Sequence, residues 1–235
     1  MIFRKVINDI LEMSYIILEV LDARFIDETR NKGIEARIKN EGKTLIYVVN
    51  KIDLIASPKI QEHIRNLKPH VLISCKERLN TGILRNLIFR YAKKGERSRV
   101  GIIGYPNTGK SSLVNVLCGH ARARTSSRSG STRGKQFIRL TENITLLDSP
   151  GTFVVENPDK LVLISSVDFS KVDDPIYYVD LIEQKFPGVI ERHYGVKNLE
   201  ELAQKRGHIK KGGELDEERT AKIILKDWQQ GKIRV

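Results

Sequence analysis

Cysteine is scarce in this sequence, and long apolar runs are absent. Two cysteines, Cys75 and Cys118, occur in 235 residues. They are too few for a disulfide framework and lack the spacing of metal ligands. The longest apolar runs, such as YIILEVL at 15–21, fall well short of the roughly twenty residues that span a membrane. Because the charged N-terminus also has no small-residue cleavage site, we expect a reduced, cytoplasmic protein that does not associate with membranes.

Acidic residues are missing from one segment of a strongly basic chain. The formal net charge is +12, which favours polyanionic partners. Residues 120–139 contain no acidic side chain and six basic ones: Arg122, Arg124, Arg128, Arg133, Lys135 and Arg139. We therefore predict that this segment contacts RNA phosphates in a salt-sensitive way. The segment KRGHIKKGG at 205–213 is either a second RNA contact or a solvated loop between helices.

Apolar runs alternate with amphipathic stretches along most of the chain. This pattern is typical of a parallel sheet with helices on both faces. The predicted strands are 15–22, 44–50, 70–74 and 98–104. The predicted helices include 28–41, one that begins at Ser57 and Pro58, and 80–93. A hairpin is predicted within 135–148, and helices alone after Pro175, so we predict two domains, 1–172 and 173–235, the second all-helical.

A phosphate-binding loop is predicted at 104–111, where GYPNTGKS fits the pattern G-x-x-x-x-G-K-[ST] between a strand and a helix. Backbone N–H groups of the glycine turn and the helix N-terminus point at phosphates. In such a loop, Lys110 bridges the β- and γ-phosphates, and the Ser111 hydroxyl binds Mg²⁺. The predicted nucleotide-binding residues of this loop are Asn107, Thr108, Gly109, Lys110, Ser111 and Ser112.

Two further segments have the residues of a guanine site: NKID at 50–53 and SCK at 74–76. The Asp53 carboxylate accepts two hydrogen bonds from guanine, whereas adenine offers no such pair of donors, which disfavours an ATPase. Lys51 and Lys76 place aliphatic stems along the base, and the Cys75 N–H is suited to the guanine carbonyl. We predict that Asn50 and Ser74 belong to the same site.

The segment DSPG at 148–151 ends another predicted strand. Ligands of open α/β sheets bind at the carboxyl ends of strands, so this position makes an otherwise weak pattern informative. Asp148 is predicted to reach Mg²⁺ through water, and the Gly151 N–H to contact the γ-phosphate of GTP.

Both base-reading segments, 50–53 and 74–76, come before the phosphate loop at 104–111 in the chain. In this order of motifs the sequence resembles the circularly permuted GTPases of the YlqF/RbgA type. The segment Asp22-Ala23-Arg24 and the stretch 201–233 match the family as well. The resemblance implies a circularly permuted P-loop G domain, α/β with a mostly parallel sheet, followed by a small helical domain. It implies a GTP-hydrolysing switch in assembly of the large ribosomal subunit, with rRNA as partner and Mg²⁺ as cofactor, and we expect a monomer.

The resemblance also assigns roles in hydrolysis. Thr132 aligns with the mobile-loop threonine that completes Mg²⁺ coordination, although Ser129 stands where the family more often has proline. The predicted catalytic residues are Lys110, Thr132 and Gly151. Thr152 stands where many GTPases have a water-positioning glutamine, so we expect slow hydrolysis unless a ribosomal particle, or K⁺ bound at Asn107, supplies the missing group.

Two alternatives stay open at this point. One is a GTP-binding RNA scaffold with negligible turnover, which the threonine at 152 allows. The other is a GTPase that acts on the small subunit or on tRNA. Small-subunit relatives usually carry a β-barrel before the G domain and a zinc site after it, and this sequence has neither. His193 and His208 are interpreted as structural or surface residues.

Overall fold

The computed structural model describes residues 2–55, 60–93, 95–119, 136–148 and 157–235. Its sheet has six strands in the order β3-β2-β1-β4-β6-β5. All neighbouring pairs are parallel except β5 and β6, which form the predicted hairpin. The strands are β1 Ile16–Asp22, β2 Thr44–Asn50, β3 His70–Leu72, β4 Ser98–Ile103, β5 Gln136–Arg139 and β6 Ile144–Asp148. The predicted mixed α/β fold class is confirmed.

Helices connect the strands and make up the C-terminal part. Short 3₁₀ turns occur at Ile52–Leu54 and Phe169–Lys171. The α-helices are α1 Ile2–Met13, α2 Ile26–Thr29, α3 Lys32–Asn40, α4 Ile60–Ile64, α5 Thr81–Tyr91, α6 Lys110–Cys118, α7 Pro158–Leu163, α8 Pro175–Lys185, α9 Val189–Tyr194, α10 Leu199–Lys205 and α11 Glu217–Gln229. Among the described residues, no helix combines the length and the apolar character needed to cross a bilayer.

The central strands are covered on both faces, which explains their continuous apolar sequences. Every residue of β1 is buried. Ile16, Leu18 and Val20 join one core cluster with Leu84 of α5 and Leu113 of α6. The odd-numbered residues of β1 face the other side, because side chains alternate along a strand.

Helix α1 packs closely against the second face of the sheet. A Cβ atom at Gly101 would lie 2.6 Å from Ile10 Cγ2 and 2.9 Å from Ile17 Cδ1. Real Cβ atoms do not approach carbon atoms so closely, so the helix has the space it needs only because residue 101 has no side chain.

The predicted helix at 28–41 is two helices, α2 and α3. Asn31 separates them, and its side-chain oxygen accepts a hydrogen bond of 3.0 Å from the Ile34 N–H, which caps α3. The helix predicted from Ser57 is observed as α4, Ile60–Ile64; Ser57 and Pro58 lie outside the described residues.

The chain forms two compact units, residues 1–154 and 155–235. The predicted domain boundary at 172/173 falls within the second unit, after α7, and it stays a prediction. The second unit is helical apart from one bridge between Ile209 and Leu215. Its core includes Trp228 of α11, which is 1% exposed and donates from Nε1 to the Leu163 carbonyl at 2.8 Å.

Candidate guanine-nucleotide site

The carboxyl ends of the parallel strands bring distant segments to one edge of the sheet. Asp22, at the end of β1, is paired in register with Asn50 at the end of β2. Asp148, at the end of β6, is paired with Ile102, two residues before Gly104. Residues from the first third of the chain and from its middle therefore share the edge at which open α/β sheets bind ligands.

The phosphate loop follows β4 and opens α6, and two of its glycines have no room for a side chain. Gly104 has φ 150°, and a Cβ there would lie 2.6 Å from the Val20 carbonyl oxygen. Gly109 has φ 104°, and its Cβ would lie 2.2 Å from Asn50 Nδ2. The tight packing of the loop against β1 and Asn50 thus depends on glycine at both positions.

Lys110 is buried within the loop. Its Nζ donates to the carbonyl oxygens of Gly104, at 2.9 Å, and Tyr105, at 2.7 Å. Burial lowers the pKa of Lys110 to about 8, against the opposing influence of the Asp148 carboxylate. A polyanion beside this ammonium would favour its charged form.

One side chain joins the base-reading segments to the phosphate loop. Asn50 Nδ2 donates to the Thr108 carbonyl at 2.9 Å, and Asn50 Oδ1 accepts from the Cys75 N–H at 3.0 Å. With 2% of its surface exposed, Asn50 is an internal bridge. Its prediction as a direct nucleotide ligand stays a prediction. The contact of the Cys75 N–H with the guanine carbonyl likewise stays a prediction.

Asp53 is held by its neighbour in the second base-reading segment. It lies on the 3₁₀ turn that follows Lys51, which has a left-handed conformation with φ 67°. The Ser74 hydroxyl donates to Asp53 Oδ1 at 2.6 Å and accepts from the Glu77 N–H at 3.0 Å. Burial, followed by the Asp53 charge, raises the pKa of the Cys75 thiol to about 12, so this cysteine is not a reactive thiolate. Lys76 is exposed.

A buried charge cluster beside Lys51 is a feature that the sequence analysis missed. Arg24 donates to both carboxylate oxygens of Asp22, from Nε at 3.0 Å and from a terminal nitrogen at 2.8 Å. Lys51 Nζ donates to Asp22 Oδ2 at 2.7 Å. Burial alone would raise the pKa of Asp22, but the two cations outweigh it and hold that pKa well below its usual range. Asp22 is therefore an anion that fixes the lysine of the base-reading segment.

The sequence contained a signal for this cluster. Asp22 ends a buried strand, and Lys51 follows the end of the neighbouring parallel strand, so the two side chains are expected at the same edge.

Oxygen ligands suited to Mg²⁺ occur at the same edge. Asp148 is 1% exposed, and Ser111 lies in the first turn of α6. Carboxylate and hydroxyl oxygens of this kind fit Mg²⁺, which binds proteins through few ligands and keeps water. Asn107 adopts a left-handed conformation with φ 61° in the phosphate loop; Thr108 is buried, and Ser112 lies in the first turn of α6. Thr132 and Gly151 lie outside the described residues.

The fold and these contacts define a P-loop guanine-nucleotide domain in which the base-reading segments precede the phosphate loop. Residues 99–211 match the family model described as 50S ribosome-binding GTPase. The structure is similar to the GNP-bound YlqF from T. maritima, with a TM-score of 0.70 and 25% identity over 97% of this chain and 94% of that chain. In fold and sequence the chain is similar to the circularly permuted GTPases of the YlqF type.

Two curated relatives cover nearly the whole chain. An uncharacterized GTP-binding protein of Methanocaldococcus jannaschii is 39% identical over 98% of this chain. Nucleolar GTP-binding protein 2 of Neurospora crassa is 36% identical over 95% of it. This chain spans 65% of the first relative and 40% of the second, so both relatives are longer.

Proposed function

We propose that this protein is a GTP-hydrolysing switch that acts in late assembly of the large ribosomal subunit and binds rRNA or pre-ribosomal particles in a GTP-dependent way. The observation that carries the proposal is the Asn50 bridge, with its hydrogen bonds of 2.9 Å to Thr108 and 3.0 Å from Cys75. Because one amide ties the base-reading and phosphate-binding segments together, a single guanine nucleotide spans them. The 50S ribosome-binding description of the matching family supports the choice of particle.

Guanine recognition is assigned to Asp53, with Ser74 in a positioning role. The Ser74 hydroxyl occupies Oδ1 of Asp53, which leaves the other oxygen and the remaining lone pairs for the N1–H and the exocyclic amine of guanine. Adenine would place an acceptor against this carboxylate, so ATP binds poorly. The stems of Lys51 and Lys76 flank the base.

Phosphate binding is assigned to the loop amides, Lys110 and the N-terminus of α6, which stabilise charge on the transferred phosphoryl group. Ser111 and Asp148, with Thr132, would hold Mg²⁺, which neutralises charge on the β- and γ-phosphates. The Gly151 N–H is proposed to contact the γ-phosphate. Since Thr152 replaces the usual glutamine, intrinsic hydrolysis is slow, and either the particle or K⁺ at Asn107 supplies the missing group.

Single-turnover hydrolysis tests the enzymatic part of this proposal. The expected result is slow release of phosphate from GTP in NaCl, which KCl or purified large subunits accelerate. A Lys110→Met variant serves as the inactive control. Fast turnover that is equal in both salts and indifferent to particles would contradict the assignment of the missing group, and no turnover under any condition would favour the scaffold.

Co-sedimentation tests the partner. The protein with a non-hydrolysable GTP analogue is expected to pellet with large subunits, and the protein with GDP to stay in the supernatant. Small subunits are the matched control, because equal pelleting with them would favour action on another RNA particle. Analytical ultracentrifugation of the free protein tests the expected monomer.

A further inference from the structure

Helix α5 and the turn that joins it to β4 carry a dense basic surface. The segment 76–99 contains eight basic and two acidic residues. The described basic residues of the segment are all exposed: Lys76, Arg78, Arg85, Arg90, Lys93, Arg97 and Arg99. We call these residues, with Tyr15, Phe89 and Tyr91, the α5 surface. It is separate from both segments that the sequence analysis assigned to RNA.

Aromatic side chains are interleaved with these charges. Phe89 is 39% exposed, Tyr91 36% and Tyr15 49%. The Arg85 guanidinium lies 5.5 Å from the centroid of the Phe89 ring, and Lys93 Nζ lies 5.8 Å from that of Tyr15. Arg85 and Phe89 lie four residues apart on one face of α5, and Lys93 follows beyond the end of the helix.

Packing and ion pairing do not explain this arrangement. The buried residues of α5 are Leu84 and Ile88, whereas Arg85 and Phe89 lie on its exposed side. Within the described residues, no carboxylate forms an ion pair with Arg85, Arg90 or Arg97. Lys93 pairs with Glu96 at 3.4 Å, but both side chains are at least 60% exposed, and such pairs contribute little.

The position of α5 in the fold determines how long the α5 surface is. The helix follows the segment Ser74–Lys76 at the nucleotide edge, and residues 92–97 separate its end from the start of β4 at the opposite edge of the sheet. At that edge the Tyr15 N–H donates to the Arg99 carbonyl at 3.3 Å, which places Tyr15 beside the basic turn. The α5 surface therefore runs along the length of the helix, about 16 Å.

We propose that the α5 surface binds a single-stranded segment of RNA. The arginine and lysine side chains take successive phosphates, and the exposed rings of Phe89, Tyr91 and Tyr15 stack on unpaired bases. An acidic protein would pair with the cations but would not use the exposed rings. The bases of duplex RNA are stacked on one another, so their faces cannot contact those rings. The alternation of aromatic rings with cations therefore favours single-stranded RNA. The proposal rests on the proposed function, within which it locates an RNA contact.

Fluorescence anisotropy of the full chain tests this assignment. The probe is a labelled single-stranded RNA of twenty nucleotides and mixed sequence, compared with the same RNA as a duplex. The triple variant Arg85→Gln, Arg90→Gln, Lys93→Gln is expected to bind the single strand at least about tenfold more weakly and to reduce the slope of log affinity against log salt by about two. The control triple Lys32→Gln, Lys39→Gln, Arg65→Gln removes the same charge from exposed positions elsewhere and is expected to bind within about twofold of wild type.

A second variant tests stacking separately from charge. Phe89→Leu with Tyr15→Leu keeps every cation and is expected to lower single-strand affinity about tenfold with an unchanged salt slope. GTP affinity and thermal unfolding equal to wild type establish that each variant is folded, since none of these residues belongs to the nucleotide site.

Each outcome of these titrations supports or overturns one part of the proposal: the α5 surface, the stacking of bases, or RNA binding itself. Equal weakening by both triple variants, or no weakening by the α5 triple, overturns the α5 surface while RNA binding stands. Duplex binding as tight as single-strand binding, or an inert Phe89→Leu, Tyr15→Leu variant, overturns the stacking of unpaired bases and favours an acidic protein or a duplex backbone. If wild type binds no RNA, both this inference and the RNA-binding part of the proposed function fail.

Discussion

At the scale of single residues, Asp53 is proposed to decide which base fits the site. Ser74 donates to its Oδ1 at 2.6 Å, so in Asp53→Asn the amide oxygen stays with Ser74 and the NH₂ group faces the base. That donor suits the 2-carbonyl of xanthine and opposes the 2-amino group of guanine. We expect GDP affinity to fall at least about a hundredfold, with xanthosine diphosphate bound more tightly than GDP. Competition against a fluorescent nucleotide measures both.

Ser74→Ala is the companion variant for that experiment. It removes the group that fixes the Asp53 carboxylate without changing its charge, so GDP affinity is expected to fall only about fivefold, the loss of one hydrogen bond, with guanine still preferred. A preference for guanine in Asp53→Asn would show that another residue reads the base.

Lys110 makes nucleotide affinity depend on pH. Burial lowers its pKa in the free protein to about 8, whereas bound phosphates favour the protonated form, so binding takes up a proton above that pH. The affinity for GTP is therefore complete below pH 8 and falls as the pH rises through it, by about fourfold between pH 7.0 and 8.5. Isothermal titration calorimetry in buffers of different ionisation enthalpy measures the affinity and the proton uptake.

Lys110→Arg is the control for this pH dependence, since a guanidinium stays charged throughout the range. Its affinity is expected to be lower and constant between pH 7.0 and 8.5. The same fourfold decline in Lys110→Arg would assign the titration to another group.

The Asp22–Arg24–Lys51 cluster is expected to matter for stability. In Arg24→Gln, the fully buried carboxylate of Asp22 keeps only Lys51 as its cation, so we expect a loss of about 3 kcal/mol in the free energy of unfolding. The half-exposed pair of Arg37 with Glu41 provides the comparison, and Arg37→Gln is expected to lose less than about 1 kcal/mol. Urea unfolding distinguishes these values, and equal losses would show that Asp22 is solvated.

At the scale of elements, two glycines in regular structure have opposite effects. Gly101 of β4 has no space for a methyl group because Ile10 of α1 lies 2.6 Å from the Cβ position. Gly101→Ala is therefore expected to lower the free energy of unfolding by roughly 1–3 kcal/mol. Gly82 of α5 faces open space, so Gly82→Ala is expected to raise it by roughly 0.5–1 kcal/mol through helix propensity. Similar effects in thermal unfolding would mean that α1 does not contact β4.

Element boundaries were predictable where a local pattern fixed them. The run TLIYVVN predicted β2 over 44–50, and the strand occupies those residues. The split of 28–41 into α2 and α3 was missed because it depends on a tertiary contact: the buried Glu19 side chain accepts from the Asn31 N–H at 2.9 Å. That contact pairs the backbone at the break, and it joins residues twelve positions apart.

At the scale of the whole molecule, the net charge of +12 is expected to govern RNA affinity. For four phosphate contacts on a single strand, affinity falls about fiftyfold between 50 and 200 mM KCl. GDP affinity is expected to change much less over the same range, because its charged partner Lys110 is buried and buried charges are screened weakly. RNA affinity that is independent of salt would contradict a phosphate-driven contact.

The permuted order of motifs is also a property of the whole molecule. The position of a strand end at the sheet edge does not depend on the order of the strands in the chain. The segments 50–53, 74–76 and 104–111 therefore meet there whichever comes first in the sequence. Parallel pairing of β1 with both β2 and β4 places the base-reading and phosphate-binding strands on either side of β1. Permutation therefore leaves the pocket intact and changes only which segments are joined covalently.

The sequence by itself determined the fold class and the position of the phosphate loop, and it predicted the guanine-reading residues, because short-range spacing fixes backbone turns and donor patterns. Only the tertiary structure decided that Asn50 bridges two loops, that Asp22 neutralises Lys51, and that rings and cations line α5. Those arrangements depend on distance, burial and dielectric surroundings, which arise when residues far apart in sequence pack together. Gly109 illustrates both contributions. Its position in the phosphate-loop motif was predictable from the sequence, but a side chain is excluded there because Asn50, 59 positions earlier, occupies the space.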